Sequence, residues 1–200
     1  MAQIFETDEE IERVILVGVQ LDDDDDAESS LEELKELAEA CNIPVLDMVF
    51  QSRSKIDPAF FIGRGKVLEI ASLRQTERAN LIIFDDELSG SQVRNLENAL
   101  GAKVIDRTTL ILEIFARRAK SKEAKIQVEL AQLKYRKSRL QGLGTVLSRT
   151  GGGIGTRGPG EKKLETDRRH INETIYDLNS ELKKVKKNRE TQREKRNKES

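Results

Sequence analysis

R-T-G-G-G-I-G-T-R-G-P-G-E-K-K-L-E-T-D-R-R, residues 149–169, is the stretch around which the rest of the chain arranges itself. Its glycines, Gly151, Gly152, Gly153, Gly155, Gly158 and Gly160, disfavour a helix, because glycine loses more backbone freedom on folding than any other residue. The long segments on either side are polar and periodic. Before the loop, Ile126, Leu130, Leu133 and Leu140 recur at spacings of four, three and seven. After it, Ile171, Ile175, Leu178, Leu182 and Val185 step by four, three, four and three. Such steps predict a seam of coiled-coil type. Two helices joined by one loop are expected to fold back antiparallel and bury their stripes together. No Gly or Pro occurs between Thr108 and Gln141, so one unbroken helix is expected to lead into the loop. The arm so defined covers residues 108–187, with its tip loop at 141–163. The basic tail, 188–200, has no apolar face to bury and is expected to fray.

Working outward from the arm, residues 1–107 alternate strand and helix signals. R-V-I-L-V-G-V-Q, Arg13–Gln20, is a β-branched run suited to a strand covered on both faces. Ser30 stands at capping-box distance from Glu33, ahead of a helix with Leu31, Leu34, Leu37 and Ala38 on one face. Ile43–Gln51 reads as a second strand. The turn Gly63-Arg64-Gly65-Lys66 opens a helix that carries Val67, Ile70 and Ala71 inward. Leu81–Phe84 is a third strand, followed by a helix from near Ser89 or Ser91 and a short fourth strand, Lys103–Ile105. The expected fold class is therefore α/β: a small four-stranded parallel sheet with helices on both faces, followed by a long antiparallel α-helical hairpin, coiled-coil-like.

Charge divides the chain at the same place. Residues 1–108 carry 11 lysines and arginines against 24 aspartates and glutamates, whereas residues 109–200 carry 24 against 12. A net charge of −1 hides this split, and any polyanion is expected to meet the second half alone. A single cysteine, Cys41, excludes an internal disulfide. No signal-peptide pattern and no apolar run of membrane-spanning length is present, so a cytoplasmic protein is expected.

Several groups are candidates for chemistry. Arg149, Arg157, Lys162, Lys163, Arg168 and Arg169 charge the glycine loop. Gly151, Gly152, Gly153, Gly158 and Gly160 would let its backbone approach an oxygen-rich surface. Arginine forks suit phosphates and stack on bases, so structured or single-stranded RNA is the natural partner. Lys66, beside a glycine turn at a helix start, and Asp85 and Asp86, at the carboxyl end of a strand, are candidates for a nucleotide such as ATP. The alternative is that Lys66 is an exposed turn residue and the aspartates cap the next helix. The run Asp22–Asp26 lacks the spacing of a calcium loop and reads as solvated. His170, the only histidine, has no nucleophile to serve, and no catalytic residue or metal ligand is assigned.

At Gly151–Arg169 the sequence resembles the signature of the HflX family of ribosome-associated GTPases. F-I-G-R-G-K from Phe61, D-D-E-L-S from Asp85, V-I-D-R-T-T-L-I-L-E-I-F-A-R-R-A from Val104 and E-A-K-I-Q-V-E-L-A-Q-L-K-Y from Glu123 extend the likeness. The resemblance implies a protein that binds the large ribosomal subunit and, with GTP and Mg²⁺, splits or rescues stalled ribosomes, often under heat stress. It also implies that the 149–169 loop reaches ribosomal RNA near the peptidyl-transferase centre, and it links the N-terminal region to ATP. The P-loop and guanine-reading motif of the family's G domain do not occur here. The chain is accordingly expected to be a truncated, monomeric portion that holds neither GTP nor Mg²⁺ and whose missing G domain is a partner. Two other readings are an ATP-binding or ATP-hydrolysing α/β domain with a coiled-coil appendage, and a coiled-coil oligomerisation module.

Overall fold

Side chains branched at Cβ pack well on a pleated surface, and the four apolar runs of the first half do become strands. The computed structural model describes the backbone of residues 12–22, 26–150 and 159–199, and the side chains of 12–22, 26–140 and 163–194. β1 (Val14–Leu21), β2 (Val45–Arg53), β3 (Leu81–Phe84) and β4 (Lys103–Asp106) pair in the order β2-β1-β3-β4. All three pairings are parallel, with Val14 opposite Leu81 and Phe84 opposite Asp106. The connecting helices are α1 (Ala27–Ala40), α2 (Arg64–Glu77) and α3 (Gly90–Leu100).

This strand order fixes which helix covers which face. The first crossover leads outward from β1 to β2, and the second steps back past β1 to β3. With right-handed connections, α1 lies on one face and α2 and α3 lie on the other. Burial agrees with that. Ile15, Val17 and Val19 of β1, Ile82 and Phe84 of β3 and Val104 of β4 form one core with Val67, Ile70, Leu96 and Leu100. On the opposite face a Cβ added to Gly18 would come within 3.1 Å of Leu31 and 3.2 Å of Phe50, so the glycine lets α1 close on the strand.

α1 begins earlier than its sequence suggests. The Ser30 N–H donates to the Asp26 carbonyl at 2.9 Å, which places Ser30 within the first turn instead of at the cap. Burial of Ala27 accounts for the added turn.

The connection between β2 and α2 is tightly specified. The Asp57 carboxylate accepts from the Ala59 N–H at 2.7 Å and from the Phe60 N–H at 2.9 Å. From α3, Gln92 Nε2 donates to the Asp57 carbonyl and Asn95 Nδ2 to the Ala59 carbonyl, both at 3.0 Å. Phe61 is held at a φ of 66°, a region costly for a residue with a Cβ, and its ring meets Phe84 edge-on at 6.3 Å. Gly63 follows, where a Cβ would stand 2.6 Å from the Arg53 guanidinium. Its N–H donates to Gln51 Oε1 at 2.9 Å.

After β4 the chain is helical: α4 (Arg107–Arg118), α5 (Lys122–Thr150) and α6 (Pro159–Glu199). Three boundaries differ from the sequence reading. The helix expected to run unbroken from Thr108 stops at Ala119–Ser121, where Ser121 Oγ accepts from the Ala124 N–H at 3.1 Å and caps α5. The loop expected over 141–163 is narrower, because the backbone is helical to Thr150 and again from Pro159. An isolated helical glycine costs only about 1 kcal/mol, and proline suits a first helical position. The tail expected to fray beyond residue 188 is helical to Glu199. Its lysines, arginines and glutamates are good helix formers, and Arg189 Nη1 meets Glu123 Oε2 at 2.7 Å.

The chain divides after Arg107 into two compact units, with Ser89–Ser91 grouped with the second. No helix among the described residues is long and apolar enough to cross a membrane.

The Asp57 turn yields a pH prediction. N–H groups of Phe60, then Ala59, hold its carboxyl below the ordinary aspartate value, with help from Arg53 and Arg64 and against the effect of burial. A carboxyl lowered by folding stabilises above its unfolded pKa of about 3.9, and that stabilisation is lost as pH falls through the folded value. Asp57→Asn should therefore lose less stability than wild type between about pH 5 and pH 2, read by urea unfolding. Equal losses in the two proteins would refute the assignment.

Candidate nucleic-acid interface

The stripes read from sequence along α5 and α6 are withdrawn from water. Ile126, Leu130 and Ile171 are buried, and Leu133, Leu140, Ile175, Leu178, Leu182 and Val185 are half-buried. Polar contacts at the two ends run in opposite chain order. Lys122 Nζ meets Glu181 Oε1 at 2.7 Å and Glu123 meets Arg189, while Leu140 is joined to Arg168. The two helices thus run side by side in opposite directions.

Of the residues expected to meet a polyanion, Gly151, Gly152, Gly153, Arg157 and Gly158 lie outside the described residues. The side chains of Arg149 and Lys162 do too. Gly160 falls in the first turn of α6. Lys163 and Arg169 are exposed on α6. Arg168 is half-buried, and its Nη2 donates to the Leu140 carbonyl at 2.9 Å, so part of this guanidinium joins the helices. His170 is exposed near Arg136, Arg139 and Asp167 around a cavity of about 320 Å³ floored by Leu140 and Ile171.

Arg136 and Arg139 belong to the same basic end of the arm and were not singled out from sequence. The signal was there in K-Y-R-K-S-R, residues 134–139, a basic run with an aromatic inside it. Arg139 lies over the Tyr135 ring, 4.5 Å from its centroid, and Nη2 donates to the Tyr135 hydroxyl at 3.2 Å. This is a cation–π pair one helical turn apart.

Two of the nucleotide candidates in the first half, Lys66 and Asp85, form ion pairs within their own unit. A 2-1-3-4 sheet has its switch point between β1 and β3, the usual place for a ligand. Here Arg107 reaches that edge. Its Nε stands 2.7 Å from Asp85 Oδ1, Nη1 lies 3.4 Å from Glu33 Oε2, and Nη2 donates to the Ser30 carbonyl. The Asp85 contact is an ion pair without hydrogen-bond alignment, so it acts through charge. Asp85 therefore faces Arg107 and does not cap α3. Lys66 pairs with Glu69 at 2.8 Å, one turn along α2. Lys66 and Asp85 are thus each paired with a residue of the same unit, and no acidic or imidazole cluster able to hold a metal ion occurs among the described residues.

Comparisons with known proteins match the whole length. A family described as GTP-binding GTPase N-terminal matches residues 28–116, and one described as GTP-binding GTPase Middle Region matches residues 118–196. The chain is 53% identical over 198 residues to the GTPase HflX of Lacrimispora saccharolytica, covering 99% of this chain and 47% of that protein. With the GTPase HflX of Escherichia coli K12 it shares 44% identity over 185 residues, covering 92% and 43%. Among solved structures it is similar to SsGBP in complex with GDP, with a TM-score of 0.66, 25% identity and coverage of 90% and 46%. A GTP-binding protein from Sulfolobus solfataricus in complex with GDP gives a TM-score of 0.58 at 26% identity, covering 84% and 45%. The chain spans about half the length of the curated relatives it matches.

Arg168 and Arg169 separate two roles within one basic run. Arg168→Ala should lower stability by about 1–2 kcal/mol through loss of a charged hydrogen bond between helices. Arg169→Ala should stay within about 0.5 kcal/mol of wild type. Urea unfolding of both variants checks this, and equal effects would contradict it.

Proposed function

The chain belongs to the HflX family of GTPases, and from that membership we propose that it is the part of such a GTPase that docks on the large ribosomal subunit. The single observation that supports the docking element is the division of charge. The acidic front half closes its sheet edge with its own arginine, while the back half carries 24 lysines and arginines against 12 acidic residues. Exposed Lys163 and Arg169 of α6, together with Arg149 of α5 and Arg157, are the residues assigned to ribosomal RNA. In this reading α5 and α6 are a coiled-coil-like arm whose burial is satisfied within one chain, so the protein is a monomer.

GTP and Mg²⁺ then belong to the part of the full-length relatives outside the matched half, and hydrolysis there splits or rescues stalled ribosomes, as in heat stress. That part, the G domain, is also the partner of this chain, and the cytoplasm is the place of action. The edge near Lys66, Asp85 and Asp86 carries no observation that favours an ATP-hydrolysing reading.

Phosphate contacts make binding steeply salt-dependent, because each neutralised phosphate releases counterions. The Arg157→Ala, Arg169→Ala double variant should pellet less with purified large subunits than wild type. Its log-affinity against log-salt slope should be shallower by roughly 1–2. Wild-type binding with an unchanged slope would remove the loop from the interface.

A further inference from the structure

We propose that the groove between α5 and α6 at Arg136, Arg139 and His170 is a subsite for one unpaired nucleotide of an RNA strand. This rests on the reading that the arm meets RNA, and it adds a site on the described stem that is separate from the tip.

Two adjoining cavities share Arg136 and Arg139. One, of about 320 Å³, is bounded by Leu140, Asp167, His170 and Ile171. The other, of about 360 Å³, lies on the Tyr135 side of the same arginines. Both are at the small end of the roughly 300–1,000 Å³ typical of ligand pockets, which suits a single base and excludes a duplex.

The chemistry is divided along the groove. Arg139 is held over the Tyr135 ring at 4.5 Å and tied to its hydroxyl, so its guanidinium plane is fixed before any ligand arrives. A fixed guanidinium plane is a surface on which an unstacked base rests. Buried Ile171 and half-buried Leu140 provide an apolar floor for the same base. Exposed Arg136, one turn before Leu140, supplies a fork for the adjoining phosphate. Asp167 brings a carboxylate, which repels phosphate but can accept from a base edge, and His170 brings an imidazole, which can donate to or accept from one. The groove is thus polarised, with phosphate toward Arg136 and base edge toward Asp167. Paired RNA buries its base faces in the stack and its Watson–Crick edges in pairing, so only an unpaired nucleotide can use all these groups.

The test uses the 200-residue chain with a dye-labelled single-stranded RNA of mixed sequence and with the same strand in a duplex, read by fluorescence anisotropy. A 2-aminopurine in the single strand reports stacking. Arg136→Ala and Tyr135→Leu should each weaken single-strand binding about 5- to 10-fold, as loss of one stacked base does. Duplex binding should change less than about 2-fold, and Tyr135→Leu should lose the 2-aminopurine quench. Circular dichroism identifies any variant that has lost helix; Arg136 is exposed, so Arg136→Ala keeps the test open if Tyr135→Leu unfolds. Equal weakening of single strand and duplex, or no weakening of either, overturns the subsite. Arg157→Ala separates the two claims. If it alone weakens binding, the tip stands and the subsite falls; if only Arg136→Ala and Tyr135→Leu weaken it, the subsite stands without the tip.

Discussion

Burial of one apolar stripe along α5 and α6 is the constraint on which the second half of the chain depends. Neither helix has a wide apolar face; α6 in particular is polar on nearly every other position. Ile126, Leu130 and Ile171 are buried, and either helix alone would expose its stripe to water. The Arg168–Leu140 hydrogen bond and the Lys122–Glu181 and Arg189–Glu123 ion pairs set the register at the two ends. Exposed ion pairs contribute little energy, so the stripe supplies the stability and the polar contacts supply alignment. The proposed RNA-binding end is carried on this stem.

The first half solves a different problem. Its parallel strands must be covered on both faces, and α1, α2 and α3 do that with a core centred on Ile15, Val17, Ile82 and Phe84. The carboxyl edge of such a sheet is ordinarily open for a ligand. Here Arg107, the first residue after β4, turns back to Asp85, Glu33 and the Ser30 carbonyl. One arginine thus sets a positive charge against Asp85 and Glu33 at that edge. The net negative charge of the first half makes the α/β unit an unfavourable surface for a polyanion.

Much of this was legible in the sequence, and the gaps have physical causes. All four strands were visible because β-branched runs bounded by turn residues have few alternatives. The stripes of α5 and α6 were visible because their spacing matches one helix face. No glycine or proline marks the break at Ala119–Ser121; its signal is the Ser121 cap with Glu123 in the first turn. The start of α1 was misplaced because Ser30 has capping-box spacing, while burial of Ala27 decides the boundary. The Asp85–Arg107 pair joins residues 22 apart in sequence, and no local pattern reveals it. Arg136 and Arg139 were overlooked beside a louder glycine loop. Their link to His170 needs the pairing of two helices, which places residues more than thirty positions apart in one groove.

The measurement that bears most directly on the central claim is hydroxyl-radical footprinting of ribosomal RNA in large subunits saturated with this chain. The account predicts a compact set of protections at unpaired ribosomal RNA, which disappears when Arg157 and Arg169 are replaced by Ala. Binding to the subunit without ribosomal RNA protection, or protections that survive the loss of both arginines, would contradict it.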